Sequence, residues 1–484
     1  MHLAVDKPLC EHCSIRPAKL VIVRRLNQDV YRTFVCPECA EERTRLYVGD
    51  GLDLDRVILG LERASGGAGT AYQCRLCGTT LADLVVGGRP GCHACYGKFA
   101  AEIDNAIETA QGRTYHVGKA PEPPEMDIHH PKTVRVSGAA SGETDVPEWI
   151  DGRGPDADVV ISTRARLARS LAEFPFPSRA SREDLSMVVR KVRKACGGLA
   201  PKLPGIRLVN VDKLSDEARS FLLDARLASA EQVHGGAGRA IVLEPRAGLS
   251  IMINEEDHLR LQAILSGLVC DEALEMVDWV DDVLTARLKF GYSRKYGYLT
   301  ASLSNVGTGL RVSALMHLAG LRLTGGLDVQ LRAAYDLGVS IRGLFGEGTQ
   351  ALGDLFQVSN EVTLGLDERE IAERVRSVAG YLLTKERLAR KELLGRQRMR
   401  VLDNASRSLR TLQSAMSVKP REALALMSPL RLAIALGLVE NGSSALMNEL
   451  LAGMRVDSVD EGSAGIGRAA LLRRKLAGVH IKDV

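Results

Sequence analysis

Eight of the ten cysteines in this 484-residue chain fall into four pairs near its N-terminus, each pair separated by two residues. The first set of four is Cys10, Cys13, Cys36 and Cys39, and the second set is Cys74, Cys77, Cys92 and Cys95. A two-residue gap lets one tight turn present both sulfurs to the same metal ion. Four thiolates match the tetrahedral shell of a structural zinc. The sequence therefore predicts two zinc sites, one for each set.

A redox-active CxxC motif is the alternative interpretation of these pairs. That chemistry uses a single motif in a thioredoxin-like βαβ setting, whereas this chain repeats the motif four times. Zinc also contributes on the order of 10–16 kcal/mol of apparent binding energy to units that are too small to build a core. The apolar residues between the first two pairs predict a small hairpin; they are Val21, Val23, Val30, Tyr31 and Phe34.

Arginines are the second group of residues that could do chemistry. The segment STRARLARS at 162–170 follows an apolar run, and in an extended strand Arg164 and Arg166 would point to the same face. Two adjacent guanidinium groups repel each other unless an anion lies between them, and their forked donors suit phosphate oxygens. The alternative is a solvated basic strand edge. Alone, this segment does not decide between the two.

Carboxylates form the third group. Glu255, Glu256 and Asp257 follow the apolar run 249–253, and their mutual repulsion indicates a cationic ligand or neighbour, with a solvated acidic turn as the alternative.

Two glycine-containing loops each carry an arginine. NVGTGLR at 305–311 is predicted to enter a helix, and RGLFGEG at 342–348 combines Arg342 with Glu347. The apolar positions of the next segment, 351–360, are predicted to be core.

Together, these residues predict a kinase that acts on a guanidinium group. Several arginines suit a polyphosphate, and separate carboxylates suit a cation. Phosphoryl transfer depends mainly on positioning and charge stabilisation, which an arginine cage with Mg²⁺ would supply. The acceptor guanidinium has a pKa above about 12, so carboxylates must align it and accept a proton as it attacks.

The elements that must position these residues have an α/β pattern after Trp149. The runs 159–161 and 249–253 predict strands, and 183–194 and 272–288 predict amphipathic helices. Asp367 with Glu370 predicts a capping pair that opens a helix running to about Arg390.

Length, composition and charge set limits on the function. A chain of this length predicts about three domains. The net charge is +4, and there is no basic stripe with interleaved aromatic residues, so nucleic-acid binding is not expected. No apolar run approaches the length of a membrane span and no export signal precedes the first cysteines, which predicts a cytoplasmic protein without a membrane partner.

The motifs after Trp149 resemble the ATP:guanido phosphotransferase family, and within it the bacterial McsB-type protein-arginine kinases. The resemblance is carried by STRARLARS at 162–170, SIMINEEDHLRLQ at 250–262, NVGTGLR at 305–311 and RGLFGEG at 342–348. It implies an α+β fold, an antiparallel sheet flanked by helices, followed by a helical C-terminal domain. It also implies ATP and Mg²⁺ as cofactors and protein arginines as substrates.

The resemblance also implies roles for individual residues. Glu255, Glu256 and Glu347 would bind the guanidinium, with Glu256 as the base, and Ser302 stands where the family has an active-site cysteine. The residues that would bind ATP are Ser162, Thr163, Arg164, Ala165, Arg166, Arg260, Arg311, Val312, Ser313, Ala314, Leu315, Arg342, Gly343, Leu344, Phe345, Gly346 and Glu347.

The N-terminal region resembles McsA-type zinc-binding activators of these kinases, through CEHCSIRPAKL at 10–20, CPECAEE at 36–42, GCHACYGKF at 91–99 and GRTYHVGKAPE at 112–122. The predicted domains are a double zinc module at 1–117, a Pro/Gly-rich linker at 118–148, a catalytic domain at 149–395 and a helical domain at 396–484. Fusion would raise the effective concentration of the activator. The resemblance further implies a homodimer, a Clp-type ATPase or protease as partner, and a role in regulated proteolysis or stress control.

Two other function classes stay open at this point. One is a kinase of a free guanidino metabolite, and the other is a non-catalytic adaptor. The adaptor is suggested by two departures from the family pattern: Ser302 replaces the cysteine, and 464–469 keeps only the last two residues of a phospho-arginine pocket motif. A further departure is Arg226, which replaces a histidine near the nucleotide. Retention of the arginines and glutamates argues against the adaptor.

Overall fold

The computed structural model describes residues 20–26, 29–36, 73–121, 147–344, 351–454 and 461–482. The chain divides into two compact units, Met1–Glu102 and Ile103–Val484. The domain boundaries predicted from the sequence stay predictions.

The first unit contains an antiparallel hairpin of β1 (Leu20–Leu26) and β2 (Asp29–Val35), in which Leu20 is opposite Val35. The hairpin predicted between the first cysteine pairs is therefore confirmed. Two short helices follow, α1 (Leu81–Gly87) and α2 (Cys95–Lys98). Thr80 begins α1 with a capping box, because its side chain accepts from the Asp83 amide while the Asp83 carboxylate accepts from the Thr80 amide. Helix α3 (Ala100–Gln111) continues past Glu102 into the second unit.

The second unit is built on an eight-stranded antiparallel sheet, as the α+β prediction requires. Its strands lie in the order β11-β12-β10-β3-β7-β6-β5-β4. Their bounds are β3 (Val160–Arg169), β4 (Arg207–Asn210), β5 (Ala240–Glu244), β6 (Leu249–Ile253), β7 (Leu259–Ser266), β10 (Leu310–His317), β11 (Val339–Gly343) and β12 (Leu355–Asn360). A separate two-stranded ladder joins β8 (Tyr292–Ser293) to β9 (Gly297–Tyr298).

One prediction about the sheet is wrong. The glycine-containing loop at 305–311 leads into strand β10 and not into a helix. The alternation of Leu310, Val312 and Ala314 with Arg311 and Ser313 has the period of a strand. Strand β10 lies in the interior of the sheet between β3 and β12. The strand predicted at 159–161 is confirmed within one residue, since β3 begins at Val160, and the strand predicted at 249–253 is β6.

Three helices cover one face of the sheet: α4 (Arg182–Cys196), α7 (Cys270–Thr285) and α10 (Glu368–Arg396). Their buried side chains join those of the strands in one apolar core, in which Ala165 and Leu167 of β3 are at most 1% exposed. The helices predicted at 183–194 and 272–288 are confirmed within about three residues. Asp367 and Glu370 form the predicted capping box, and α10 extends to Arg396.

Short helices connect the strands: α5 (Asp216–Asp224), α6 (Ala230–His234), α8 (Ala319–Leu323) and α9 (Leu327–Tyr335). The predicted helical C-terminal region is confirmed as α11 (Arg398–Ser414), α12 (Pro420–Ala435), α13 (Ser444–Ala452) and α14 (Glu461–Leu476), with a small ladder of β13 (Val439–Glu440) and β14 (His480–Ile481). Within the described ranges, no helix is long and apolar enough to cross a membrane.

Candidate active site

The five arginines singled out in the sequence lie on one face of the sheet, opposite to the helix-covered face. In antiparallel pairing, residues directly opposite each other share a face. Arg166 is opposite Arg311, and Arg260 is opposite Ala168, two positions along β3 from Arg166. Arg342 is opposite Gln357, which is opposite Leu315 of β10, and Leu315 in turn is opposite Ser162. Strand pairing therefore collects guanidinium groups from β3, β7, β10 and β11.

Crowding of these side chains disfavours their own charge. Burial, together with the charges of Arg226, Arg311 and Arg260, lowers the pKa of Arg164 to about 9. Burial and nearby arginines also lower the pKa of Arg166 well below its ordinary value. Such repulsion is relieved when a multiply charged anion lies among the guanidinium groups. The face is therefore suited to a polyphosphate.

Strand β12 supplies polar neighbours to this arginine face. Gln357 Oε1 accepts from Arg164 Nη2 at 3.4 Å, and Ser359 Oγ accepts from Arg311 Nη2 at 3.2 Å. The apolar residues of the same strand, Phe356 and Val358, are fully buried, as predicted for 351–360. The polar positions orient guanidinium groups without neutralising them.

The three carboxylates of the predicted acidic segment lie at the end of β6, where Arg260 of β7 reaches two of them. Arg260 Nη1 is 2.6 Å from Glu255 Oε2, and Arg260 Nη2 is 3.4 Å from Glu256 Oε2. Glu255 also accepts a hydrogen bond from Ser229 Oγ. Glu255 is thus held by two partners, while Glu256 is a more distant neighbour of the same arginine.

Asp257, the third carboxylate, joins the acidic segment to the loop that carries Ser302. Its Oδ1 accepts from Ser170 Oγ at 2.8 Å and from the Ala301 amide at 2.7 Å. Burial raises the pKa of Asp257 to about 6, and the nearby charge of Glu256 acts in the same direction. Sequence spacing assigns no role to Asp257, because its hydrogen-bond partners are distant along the chain.

Ser302 lies in the loop 299–309, one residue beyond the amide that Asp257 holds. Its hydroxyl is 2.9 Å from Ser304 Oγ, and its carbonyl accepts from Thr300 Oγ1 at 2.8 Å. The Ser302 hydroxyl can donate or accept a hydrogen bond and has no charge at neutral pH.

The other residues predicted to bind ATP are distributed between the two faces of the sheet. The side chains of Ala165 and Val312 lie in the helix-covered core, and Ala314 is also fully buried. Thr163 donates to Gly267 O at 2.6 Å, and Ser162, Ser313 and Leu315 are at most 3% exposed. Gly343 ends β11, and Leu344 follows it. Phe345, Gly346 and Glu347 lie outside the described residues.

Arg226 is a further cation beside the arginine face. Its guanidinium carbon is 5.2 Å from the centre of the Trp149 ring, and its carbonyl accepts from Gln262 Nε2 at 2.8 Å. Burial, with Arg431 nearby, lowers its pKa to about 10. The sequence singled out this position only as a departure from the family pattern, and no local spacing indicates that it lies close to Arg164.

The second cysteine set forms a compact cluster in the first unit. The sulfurs of Cys74, Cys77, Cys92 and Cys95 all lie within 4.8 Å of one another. The hydrogen bond from Cys92 lowers the pKa of Cys95 to about 5, and the same contact together with burial raises the pKa of Cys92. Four close thiols cannot all ionise without a cation, so this donor set fits zinc. Of the first set, Cys36 is buried, and Cys10, Cys13 and Cys39 lie outside the described residues.

Three family models match successive parts of the chain. Residues 72–118 match the McsA central zinc-finger domain, and residues 187–389 match the C-terminal catalytic domain of ATP:guanido phosphotransferases. Residues 398–483 match the C-terminal domain of the protein-arginine kinase McsB.

Solved structures support the fold alone. The duplicated taurocyamine kinase from Schistosoma mansoni, with bound transition-state-analogue components, is 21% identical, with a TM-score of 0.50 over 73% of this chain and 47% of that one.

Relatives named protein-arginine kinase are similar over most of their length. The one from Pelotomaculum thermopropionicum is 39% identical over 344 residues, which are 69% of this chain and 96% of the relative. The one from Halothermothrix orenii is 38% identical over 305 residues, which are 63% of this chain and 86% of the relative. The chain belongs to the protein-arginine kinase family of ATP:guanido phosphotransferases and carries a McsA-type zinc-finger region in the same polypeptide.

Proposed function

We propose that this chain transfers the γ-phosphoryl group of ATP to arginine side chains of proteins. The observation that carries the proposal is the arginine face itself, where guanidinium groups from four strands converge beside the carboxylates at the end of β6. A triphosphate supplies the negative charge that this face lacks, and a carboxylate supplies the contact that an incoming cationic side chain needs.

In the proposed reaction, Arg164, Arg166, Arg260, Arg311 and Arg342 bind the phosphates of ATP. Mg²⁺ bound with the nucleotide would neutralise part of its charge. Glu256 binds the acceptor guanidinium, with Glu255 beside it and Glu347 as a second carboxylate predicted from the sequence. A guanidinium nitrogen attacks the γ-phosphorus, its proton passes to Glu256, and the bond from phosphorus to the leaving oxygen of ADP breaks. The products are ADP and a phospho-arginine.

A direct test is incubation of the purified chain with Mg-ATP and a mixture of proteins, followed by detection of phosphate on arginine. The bond between phosphorus and nitrogen is acid-labile, so the transferred phosphate should be released from the proteins in acid and should stay bound at neutral pH. Glu256→Gln should lower turnover by about 10³-fold while nucleotide binding is retained, because the carboxylate acts in the transition state. Label transfer to free arginine but not to proteins would replace this proposal by a metabolite kinase.

We also propose that each cysteine set binds one zinc ion. The second set supports this through its packed sulfurs, and the first set through its matching spacing and the hairpin between its pairs. Metal analysis should give about two zinc ions per chain. Cys74→Ser and Cys10→Ser should each remove one. A metal-free chain with disulfides between these cysteines would contradict the proposal.

The remaining expectations about partners are kept as proposals. They are a homodimer, a Clp-type ATPase or protease as partner, a role in regulated proteolysis or stress control, and a cytoplasmic location. Sedimentation of the purified chain tests the first, and the fate of an arginine-phosphorylated substrate with and without the partner tests the second and third.

A further inference from the structure

A buried glutamine at the start of the second unit ties two loops of the catalytic region together. Gln111 ends helix α3 and is 6% exposed. Its Nε2 donates to Leu303 O at 2.9 Å and to Val306 O at 3.1 Å. Its Oε1 accepts from the Thr363 amide at 2.9 Å and from Thr363 Oγ1 at 3.1 Å. Both amide protons and the amide oxygen are therefore used, on partners about 190 to 250 residues away in the chain.

Thr363 is the second member of this network. Its Oγ1 lies 2.7 Å from Val306 O, and its carbonyl accepts from the Thr308 amide at 2.9 Å. Gln111 and Thr363 together bind the backbone of loop 299–309 at Leu303, Val306 and Thr308. Leu303 O and Val306 O thus receive hydrogen bonds from side chains that are remote in the sequence.

The residues after Gln111 lie along the same region, and we call residues 111–119 the brace. Arg113 Nη1 donates to Gly365 O at 2.8 Å. Lys119 Nζ is 2.6 Å from Asp278 and 3.7 Å from Asp281 of α7. At Gly118 a Cβ atom would lie 2.7 Å from both Glu368 Oε2 and Thr308 Cγ2, so the backbone packs there without room for a side chain.

Loop 299–309 connects the brace to the reacting groups. Its first half carries Ser302 and the Ala301 amide, which binds Asp257 next to Glu256. Its end leads directly into β10, where Arg311 is the second residue. A shift of this loop would therefore move groups on both sides of the proposed transfer, namely those that meet the acceptor and one that meets the phosphates.

We propose that Gln111 is a positioning residue for phosphoryl transfer, which fixes loop 299–309 in its catalytic geometry from outside the active site. The inference rests on the proposed function. It assigns to residues within the zinc-finger family match, 72–118, a role in the catalytic step that is distinct from metal binding. Misplacement of a reacting group by about 1 Å can lower a rate about 100-fold, so a tether of this kind can control turnover.

The test compares two variants in the full chain. Gln111→Met keeps the length of the side chain and removes every hydrogen bond of its side-chain amide. Gln413→Met is the matched control, because Gln413 Nε2 also donates to two backbone carbonyls, Leu476 O at 2.8 Å and Val479 O at 3.2 Å, in the C-terminal helical region. Steady-state kinetics with a protein substrate, thermal unfolding, zinc content and hydrogen exchange of peptides spanning 299–309 are measured for both.

For Gln111→Met we expect kcat to fall about 10- to 100-fold, with the KM for ATP changed less than about threefold. Hydrogen exchange should rise in 299–309, and zinc content should stay that of the wild type. Gln413→Met removes two hydrogen bonds from a half-buried side chain, so it should lower thermal stability by less and leave kcat within about twofold. Gly118→Ala should displace the brace while leaving the Gln111 side chain unchanged. In this variant kcat should fall by less than in Gln111→Met.

The proposal is overturned if Gln111→Met lowers kcat no more than the control does, or if kcat falls without a change in exchange at 299–309. If Gln111→Met fails to fold, Gly118→Ala alone decides, since an unchanged kcat there removes the brace from catalysis. An inactive wild-type chain would count against the proposed function itself, which keeps the two failures distinguishable.

Discussion

Strand β3 carries two kinds of arginine only three residues apart, and the charges around them are opposite in sign. Arg169 is completely buried, and its guanidinium donates to both carboxylate oxygens of Asp281, at 2.8 and 3.0 Å. It also donates to Thr308 O and lies 3.4 Å from the centre of the Tyr298 ring. Burial alone would lower the pKa of Arg169, but the charge of Asp281 outweighs it and raises that pKa above its ordinary value.

Arg166 is surrounded mainly by other cations. Burial comes first among the causes that lower its pKa, followed by Arg164, Arg260 and Arg311, with Glu255 acting against them. Repulsion of this kind is typical of sites where a bound anion compensates it. An arginine paired with a carboxylate thus stabilises the fold, whereas an arginine among arginines is typical of an anion-binding site.

The largest effect should come from Arg166→Met. Loss of one phosphate-binding guanidinium lowers phosphoryl transfer by about 10³-fold or more, by analogy with other arginines that stabilise this transition state. The free energy of unfolding should stay the same or increase, because repulsion is removed. Parallel measurement of kcat/KM and urea unfolding checks both. A large loss of stability would place Arg166 in the same class as Arg169.

The opposite pattern is expected for Arg169→Met. The change leaves Asp281 as a buried charge without its main partner and should lower the free energy of unfolding by about 3–5 kcal/mol. Adding Asp281→Leu should recover much of that loss, since a buried pair can be replaced by apolar side chains. Denaturant titration of the single and double variants measures this, and a failure of the double variant to recover would contradict it.

Asp257 is a buried carboxylate that, unlike Asp281, has no arginine as a hydrogen-bond donor among the described residues. Its donors are Ser170 and the Ala301 amide, which are both neutral. Its pKa of about 6 in the folded chain lies above the ordinary value of 3.8. The stability associated with its protonated form is therefore fully present below about pH 4 and is lost as the pH rises through 6. Asp257→Asn should remove that loss, so that the variant gains on the order of 2 kcal/mol relative to the wild type between pH 4 and pH 7. Unfolding free energies at several pH values test this, and a constant difference would contradict it.

The smallest effect is expected for Ser302→Cys, which offers a negative charge near the acidic segment. A thiolate there would help to hold the acceptor guanidinium and should raise turnover by up to about tenfold. It should also create a reactive position that ATP plus a protein substrate protects. Peptide mapping after brief alkylation of the full chain distinguishes the introduced thiol from the zinc ligands. In the wild-type chain, burial raises the pKa of Cys196 and Cys270 to about 12, so both should stay unmodified.

Much of the fold could be predicted because its signals are local. The capping residues of α10 and the apolar runs in β3 and β6 depend on neighbours a few residues away. The prediction of a helix after the loop at 305–311 is wrong because a glycine turn can precede a strand as well as a helix, and only pairing with β3 and β12 decides between them.

The candidate site could be predicted only in part. Period-two spacing places Arg164 and Arg166 on one face, but the approach of Arg311 and Arg342 depends on the register of three strand pairs. The positions held by Asp257 and Gln111 depend on contacts across long stretches of chain, and nothing in the local sequence of either residue reports them.

The repulsion among guanidinium groups on the arginine face has a consequence for the behaviour of the protein in solution. Surface ion pairs weaken as ionic strength rises, whereas clustered like charges are relieved by it. The chain without nucleotide should therefore be more stable in moderate salt, and more so with sulfate or inorganic phosphate than with chloride. The same ions would compete with ATP for the guanidinium groups. The same anions should therefore raise the stability of the enzyme and lower its rate.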